Sequence, residues 1–133
     1  MTLTIKKYLE CFENFNSKSI NKILKYVDEK IIFVDPFNKI KGKNNLKILL
    51  TSFLYKFNNP KFNILNVTKD RTSHFVKWKL ELRYKKKKII FFGMSELVVK
   101  NNLIISHIDY WDSGKNFYCN IPILGWLFRR IHK

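Results

Sequence analysis

The sequence predicts an α+β domain with helices laid on one face of a curved, mainly antiparallel sheet. Three observations predict it. Up to Phe57 the apolar residues recur mostly with a helical period, interrupted by one β-rich run. After Pro60 the period changes to two and stays there. Turn residues, not long linkers, separate the segments, and Gly and Pro are scarce at 4 and 3. Helices first and a strand meander after is the α+β plan.

The elements follow in order. Residues 4–15 place Ile5, Tyr8, Leu9, Phe12 and Phe15 on one helical stripe. Ser17 or Ser19 is positioned to cap a second helix, whose apolar face is Ile20, Ile23, Leu24 and Val27. The run KIIFVDPF reads as a strand from Ile31 to Val34, ended by Pro36, with Gly42 marking the next turn. From Asn44, the residues Leu46, Leu49, Leu50, Phe53, Leu54 and Phe57 predict a third helix, stopped by Asn58-Asn59-Pro60.

Phe62, Ile64, Leu65 and Val67 then suggest a strand up to Asp70. Residues 74–84 alternate cleanly: Val76, Trp78, Leu80 and Leu82 face one way and Lys77, Lys79, Glu81 and Arg83 the other. Lys85 to Lys88 connect this strand to the next, residues 89–99, and Asn101-Asn102 turn into a last strand, 103–111. The tail, residues 115–133, contains IPILGWLFRRIHK and reads as a short amphipathic C-terminal helix. The predicted order is α-α-β-α-β-β-β-β plus that segment, in a single domain spanning 1–133.

The formal net charge is +16, from 26 basic and 10 acidic residues. Only four of the basic residues are arginine (Arg71, Arg83, Arg129, Arg130), the side chain suited to bidentate phosphate and base contacts. Lysine occurs alongside many Ile and Asn residues, a composition that an AT-rich genome produces. No specific nucleic-acid partner is expected, and a selected polyanion-binding surface is the alternative. Cys11 and Cys119 have no CxxC spacing, and no His spacing suggests zinc, so no metal is expected. The N-terminal MTLTIKKYLECFENF lacks a signal-peptide core, and no apolar window is long enough to span a bilayer. A cytoplasmic protein with free thiols is the expectation, which makes the sequon Asn66-Val67-Thr68 a chance match.

Candidate chemistry concentrates near two places. On the last strand, counting by twos puts Leu103, Ile105, His107, Asp109 and Trp111 on one face. Ile104, Ser106, Ile108, Tyr110 and Asp112 take the other, leaving Asp112 a turn or capping role. His107 and Asp109 among aromatic residues are costly to bury unless paired. They are either a pocket wall, a buried structural network, or a solvated strand end. Asp35, in DPFN, is either a turn carboxylate or a base on a cavity wall. In FFGMSELVV, Gly93, Ser95, Leu97 and Val99 share a face, and Glu96 points away. Ser95 can donate to a ligand oxygen, to Asp109 or to backbone. His74, at a strand start, and His132 read as solvated. Tyr110 and Phe117 could pack under the C-terminal segment.

The segment YVDEKIIFVDPFNKIKGKNNL, the Gly-x-Ser-x-Leu strand and the terminal DYWD resemble the cone-shaped α+β fold of nuclear transport factor 2, ketosteroid isomerase, scytalone dehydratase and the SnoaL-like cyclases. The resemblance covers roughly residues 5–112 and lies in the order and spacing of short motifs. It implies an apolar cone pocket lined by Trp78, Leu80, Leu82, Leu97, His107, Asp109 and Trp111. By likeness to ketosteroid isomerase, the general base falls on Asp35. That family's oxyanion Tyr falls near Cys11, with Tyr8 one turn away, and its oxyanion Asp falls on Ser95. The base is kept and both oxyanion donors depart.

The dehydratase family works with His and Asp side chains in the cone, and in an enzyme of this fold His107 and Asp109, on the last strand, would be an acid/base pair. The resemblance thus implies a small apolar ligand and, in an enzyme, a cofactor-independent isomerase, dehydratase or cyclase. The alternative it implies is a non-catalytic homodimer paired through the outer sheet face. Within the tail, residues 119–133 are then a lid or dimer contact, or an aromatic-basic segment lying on anionic lipid.

Overall fold

The computed structural model describes residues 2–112. The expected C-terminal helix, residues 115–133, with Cys119, Phe117 and His132, lies outside them. The first helix, α1 (Leu3–Glu13), is capped by Thr2, whose hydroxyl accepts from the Ile5 amide. The second, α2 (Ser17–Ile23), is capped by Asn16 and not by a serine. Asn16 and Ser19 form a reciprocal capping box: the Ser19 amide donates to Asn16 Oδ1 and the Asn16 amide to Ser19 Oγ. Ser19 therefore completes the cap from inside the helix.

A single 3-10 turn, Leu24–Tyr26, leads into β1 (Val27–Val34), which starts earlier than its hydrophobic run suggests. A short strand absent from the sequence reading, β2 (Lys39–Lys41), folds back antiparallel on β1 across the DPFN turn. Gly42 enters α3 (Lys43–Lys56) at φ 95°, a conformation that a side-chain-bearing residue adopts at a cost. The strands β3 (Lys61–Asp70), β4 (Ser73–Tyr84), β5 (Lys87–Lys100) and β6 (Leu103–Tyr110) form the expected meander. The sheet order is β2-β1-β6-β5-β4-β3, with β1 parallel to β6 and every other pairing antiparallel. Three helices on one face of a curved sheet are the α+β cone. No helix among the described residues is long and apolar enough to cross a membrane.

Two bulges decide which residues face inward. The β3–β4 register shifts between Ile64 and Asn66, and Leu65 is turned out to solvent. The β5–β6 register shifts between Val98 and Val99, so that Ser106 and Ile104 have partners and Ile105 has none. An extra residue reverses the strand's alternation. Ile104 is therefore fully buried, and Leu103 and Ile105 do not share the inner face with His107. The strict count by twos holds only beyond the bulge, for His107, Asp109 and Trp111. His74 corrects another expectation: it is buried on β4, and neither ring nitrogen has a hydrogen-bond partner among the described residues. Burial, with Lys69 adding repulsion, pushes its pKa down. Tyr110 does not pack under anything described; it is exposed and donates to Glu96 at 3.2 Å.

Two hairpins turn on residues with positive φ at both central positions. Asn101 and Asn102 (φ 52° and 62°) suit that geometry. Lys85 and Lys86 (φ 48° and 65°) do not, because a Cβ crowds the carbonyl there. The double variant Lys85→Asn/Lys86→Gly is expected to be more stable by about 1 kcal/mol, read as a higher urea midpoint with unchanged slope.

Candidate functional site

The inner face of the sheet, α1 and α3 line a cavity of about 110 Å³. Its walls are largely aromatic, with Phe12, Phe33, Phe53, Phe62, Trp78, Phe91 and Trp111 among them. Five polar side chains break this surface: Asp35, Asn38, Ser95, His107 and Asp109. They come from distant parts of the chain. The parallel register pairs Phe33 with His107 and Val34 with Ile108, and one further step sets Asp35 beside Asp109. On the other side, β5 places Ser95 opposite Asp109, and β4 places Trp78 opposite Gly93. Gly93 is required there. A Cβ at this position would stand 2.2 Å from the Trp78 ring, which lies across the glycine.

Asp35 is locked by its own turn. Its Oδ1 accepts from the Phe37 amide (2.8 Å), the Asn38 amide (2.7 Å) and the Asn38 side chain (3.1 Å). The Asp35 amide donates in return to the Asn38 carbonyl at 2.9 Å. Pro36 presets the turn, and an Asp at its first position is the side chain that best accepts from the amides two and three residues on. Burial nevertheless dominates and pushes the Asp35 pKa up to about 6, the Phe37 amide opposing and the charge of Asp109 adding to the rise.

Asp109 belongs to a continuous hydrogen-bond chain. The Trp78 indole N–H donates to Ser95 Oγ at 2.8 Å, and the Ser95 hydroxyl donates to Asp109 Oδ1 in a short contact. His107 Nε2 lies 2.7 Å from the same oxygen, and Tyr8 Oη lies 2.7 Å from His107 Nδ1. The polarity follows from the ends. Indole only donates, so Ser95 must spend its own proton on Asp109. A carboxylate only accepts, so Nε2 carries the imidazole proton. Nδ1 is then the acceptor for the fully buried Tyr8 hydroxyl. A second proton on His107 would leave that hydroxyl without an acceptor among the described residues, which is costly in the core.

The sequence candidates fall into three groups. Asp35, Trp78, Leu80, Ser95, Leu97, His107, Asp109 and Trp111 all line the one cavity. Tyr8 stands one layer behind, against His107, and Leu82 is buried without lining it. Cys11 is separated from the site. It lines a surface hollow with Lys7, Lys22 and Tyr26, because one residue along a helix turns its neighbour Phe12, not Cys11, toward the cavity. Burial pushes the Cys11 thiol up. Ser95 has its hydroxyl proton committed to Asp109, and His107 has both nitrogens engaged. Of the residues that sequence reasoning missed, Asn38 matters most; its signal was the last letter of DPFN. Phe33, whose ring centroid is 4.6 Å from that of His107, was hidden in a run read only as a strand.

Among the described residues no group of three or more His, Cys, Asp or Glu side chains is placed to hold a metal. The chain from Tyr8 to Trp78 makes a checkable statement. Tyr8→Phe removes the donor to Nδ1 and is expected to cost about 1–3 kcal/mol. Urea unfolding measures the loss, and nitrogen-15 shifts of His107 report whether Nδ1 is the acceptor; a protonated Nδ1 in the unmodified protein would contradict the polarity.

A SnoaL-like domain model matches residues 6–107. No curated protein matches the sequence. Several solved structures share the fold. TerC, co-crystallized with polyporic acid, superposes with TM-score 0.75 at 12% identity, covering 86% of this chain and 95% of that one. A hypothetical protein with a ketosteroid isomerase-like fold from Catenulispora acidiphila DSM 44928, in complex with trimethylamine, gives 0.76 at 10% identity, covering 89% and 92%. A candidate polyketide cyclase from Xanthomonas campestris pv. campestris gives 0.75 at 13% identity, covering 84% and 90%. At such identities the likeness shows the fold alone. The family match over most of the chain, on a cone with these strands and this cavity, places the protein in the SnoaL-like family.

Proposed function

We propose that the protein binds a small, largely apolar molecule in the cone cavity and moves protons on it, as an isomerase, dehydratase or cyclase that needs no cofactor. One observation carries this reading: Asp35, on an aromatic wall, has a pKa raised to about 6 and shares the cavity with a second carboxylate, Asp109. A base that ionises near working pH combines availability with strength. Asp35 takes a proton from carbon next to a carbonyl and returns it to the rearranged product or to a departing hydroxyl. Asp109 offers its free oxygen to a substrate hydroxyl. His107 and Ser95 position Asp109 and do not touch the reacting atoms themselves.

The cavity volume favours a ligand of about one ring, below the ~300–1,000 Å³ of drug-sized sites. Small-molecule complexes of two proteins of this fold, with polyporic acid and with trimethylamine, support a ligand site in the cone. The candidate cyclase supports the reaction class.

A second reading, a non-catalytic dimer, has its own observation. On the outer sheet face, Ile90, Phe92 and Met94 of β5 and Tyr110 of β6 are exposed together. Phe92→Lys is expected to convert a dimer to a monomer by light scattering; a monomeric unmodified chain removes this reading.

The catalytic reading is tested with Asp35→Asn, which keeps an oxygen acceptor for the turn. Deuterium exchange at the α-carbons of small cyclic ketones is expected to be accelerated by the unmodified protein and to fall about 10²–10⁴-fold in the variant. Stability gives a second readout. The folded-state pKa of Asp35 is raised, so the native state keeps a proton that the unfolded chain releases between pH about 4 and about 6. Ionised Asp35 therefore costs about 3 kcal/mol or less above pH 6, and nothing below both values. Asp35→Asn is expected to be the more stable protein at pH 8, with the gap closing as pH falls through about 6. A gap that does not change with pH refutes the buried carboxylate.

A further inference from the structure

The charge inside the cone is opposite to the charge outside it. The chain carries +16, with 26 basic against 10 acidic residues. Yet the cavity wall holds Asp35 and Asp109 and, among the described residues, no Lys or Arg. The lysine ion pairs among those residues go to Glu10, Glu29 and Glu81, all elsewhere. Among the described residues the ionisable side chain bonded to Asp109 is His107, which holds one of its two oxygens. Both carboxylates keep spare acceptor capacity. Asp109 Oδ2 takes no hydrogen bond among the described residues, and Asp35 Oδ2 takes only a long one, 3.2 Å from the Asn38 side-chain nitrogen Nδ2.

The rest of the wall has the same electrostatic sense. Ring faces of Trp and Phe are electron-rich and attract cations, Trp most strongly. A neutral hydrocarbon would leave two carboxylates dehydrated with nothing to bind, which is unfavourable. An anion would meet two like charges. A positively charged head attached to a small apolar body satisfies both the carboxylates and the rings. The geometry points to a small organic ammonium ion, about one ring in size, as the class of ligand that the cone selects. This names the substrate class of the site proposed above and rests on that cavity being a ligand site.

Three probes of one shape separate the possibilities: benzylamine, protonated at pH 7.5, benzyl alcohol and benzoate. Calorimetry on the full chain at moderate salt is expected to show benzylamine binding about tenfold or more tighter than benzyl alcohol, with benzoate weakest. Asp109→Asn is expected to bring the benzylamine-to-benzyl alcohol ratio toward one, chiefly by weakening benzylamine, an inference from removing one charge and little volume. Asp35→Asn tests the same point where the first variant does not fold. Benzyl alcohol or benzoate binding as tightly as benzylamine overturns the cation preference and leaves the proton-transfer reading standing. No binding by any of the three defeats both, because the cavity is then not a ligand site. The basic outer surface would favour benzoate, so surface attraction cannot imitate the expected order.

Discussion

The interaction on which the site depends is the hydrogen-bond chain from Trp78 through Ser95, Asp109 and His107 to Tyr8. It joins β4, β5, β6 and α1 through side chains alone, and nearly all of it is out of water. A chain of this kind stabilises only when every member is satisfied. Its two ends meet that condition. Trp78 can only donate, and Tyr8 has one acceptor within reach among the described residues. The result is a carboxylate held by one oxygen, with the other left to the cavity. Gly93 belongs to the same construction, because only a residue without a side chain lets the Trp78 ring lie where its N–H reaches Ser95.

Asp35 is held in a different way. Its restraint is local, from a proline turn and the backbone amides that follow it. Such amides favour the ionised form, while burial and the neighbouring Asp109 favour the neutral one. Burial wins by a modest margin, which places the group near neutrality. Two carboxyl groups with different environments on one wall are the arrangement in which acid and base roles can separate. The parallel pairing of β1 with β6 is what sets them side by side, and parallel pairing occurs at this one place in the sheet.

The separation of charge gives the molecule two surfaces of opposite electrostatic sense. Outside, lysine dominates, and its pairs with Glu10, Glu29 and Glu81 lie at the surface, as Lys7–Glu10 does at 3.9 Å, where solvent weakens them. Inside, the lysines are missing. Low local dielectric strengthens any interaction made in the cone relative to one made on the surface. A lysine-rich composition therefore says little about what the cavity binds, and the net charge of the chain is a poor guide to its ligand.

Much of the architecture was legible in the sequence. The helical stripe of Ile5, Tyr8, Leu9 and Phe12, the alternation of Val76, Trp78, Leu80 and Leu82, and the turns at Asn58-Asn59-Pro60 and Asn101-Asn102 are local signals, and local signals determine elements. They also determined that Asp35 sits in a turn and that His107, Asp109 and Trp111 share a face, since these depend on spacing over a few residues. Other features were decided only by the tertiary structure. The bulge at Ile105 is a mismatch between two strands, so neither strand's sequence announces it. His74 is buried between the neighbouring strands β3 and β5, which its place at a strand start does not announce. Cys11 and Tyr8 lie on one helix, and only the helix's rotation against the sheet puts Tyr8 on His107 and Cys11 outside. The commitment of Ser95 and of both His107 nitrogens, and the meeting of Asp35 with Asp109, arise from cross-strand register. Residues 74 positions apart that share one cavity wall, such as Asp35 and Asp109, have no period for a sequence to display.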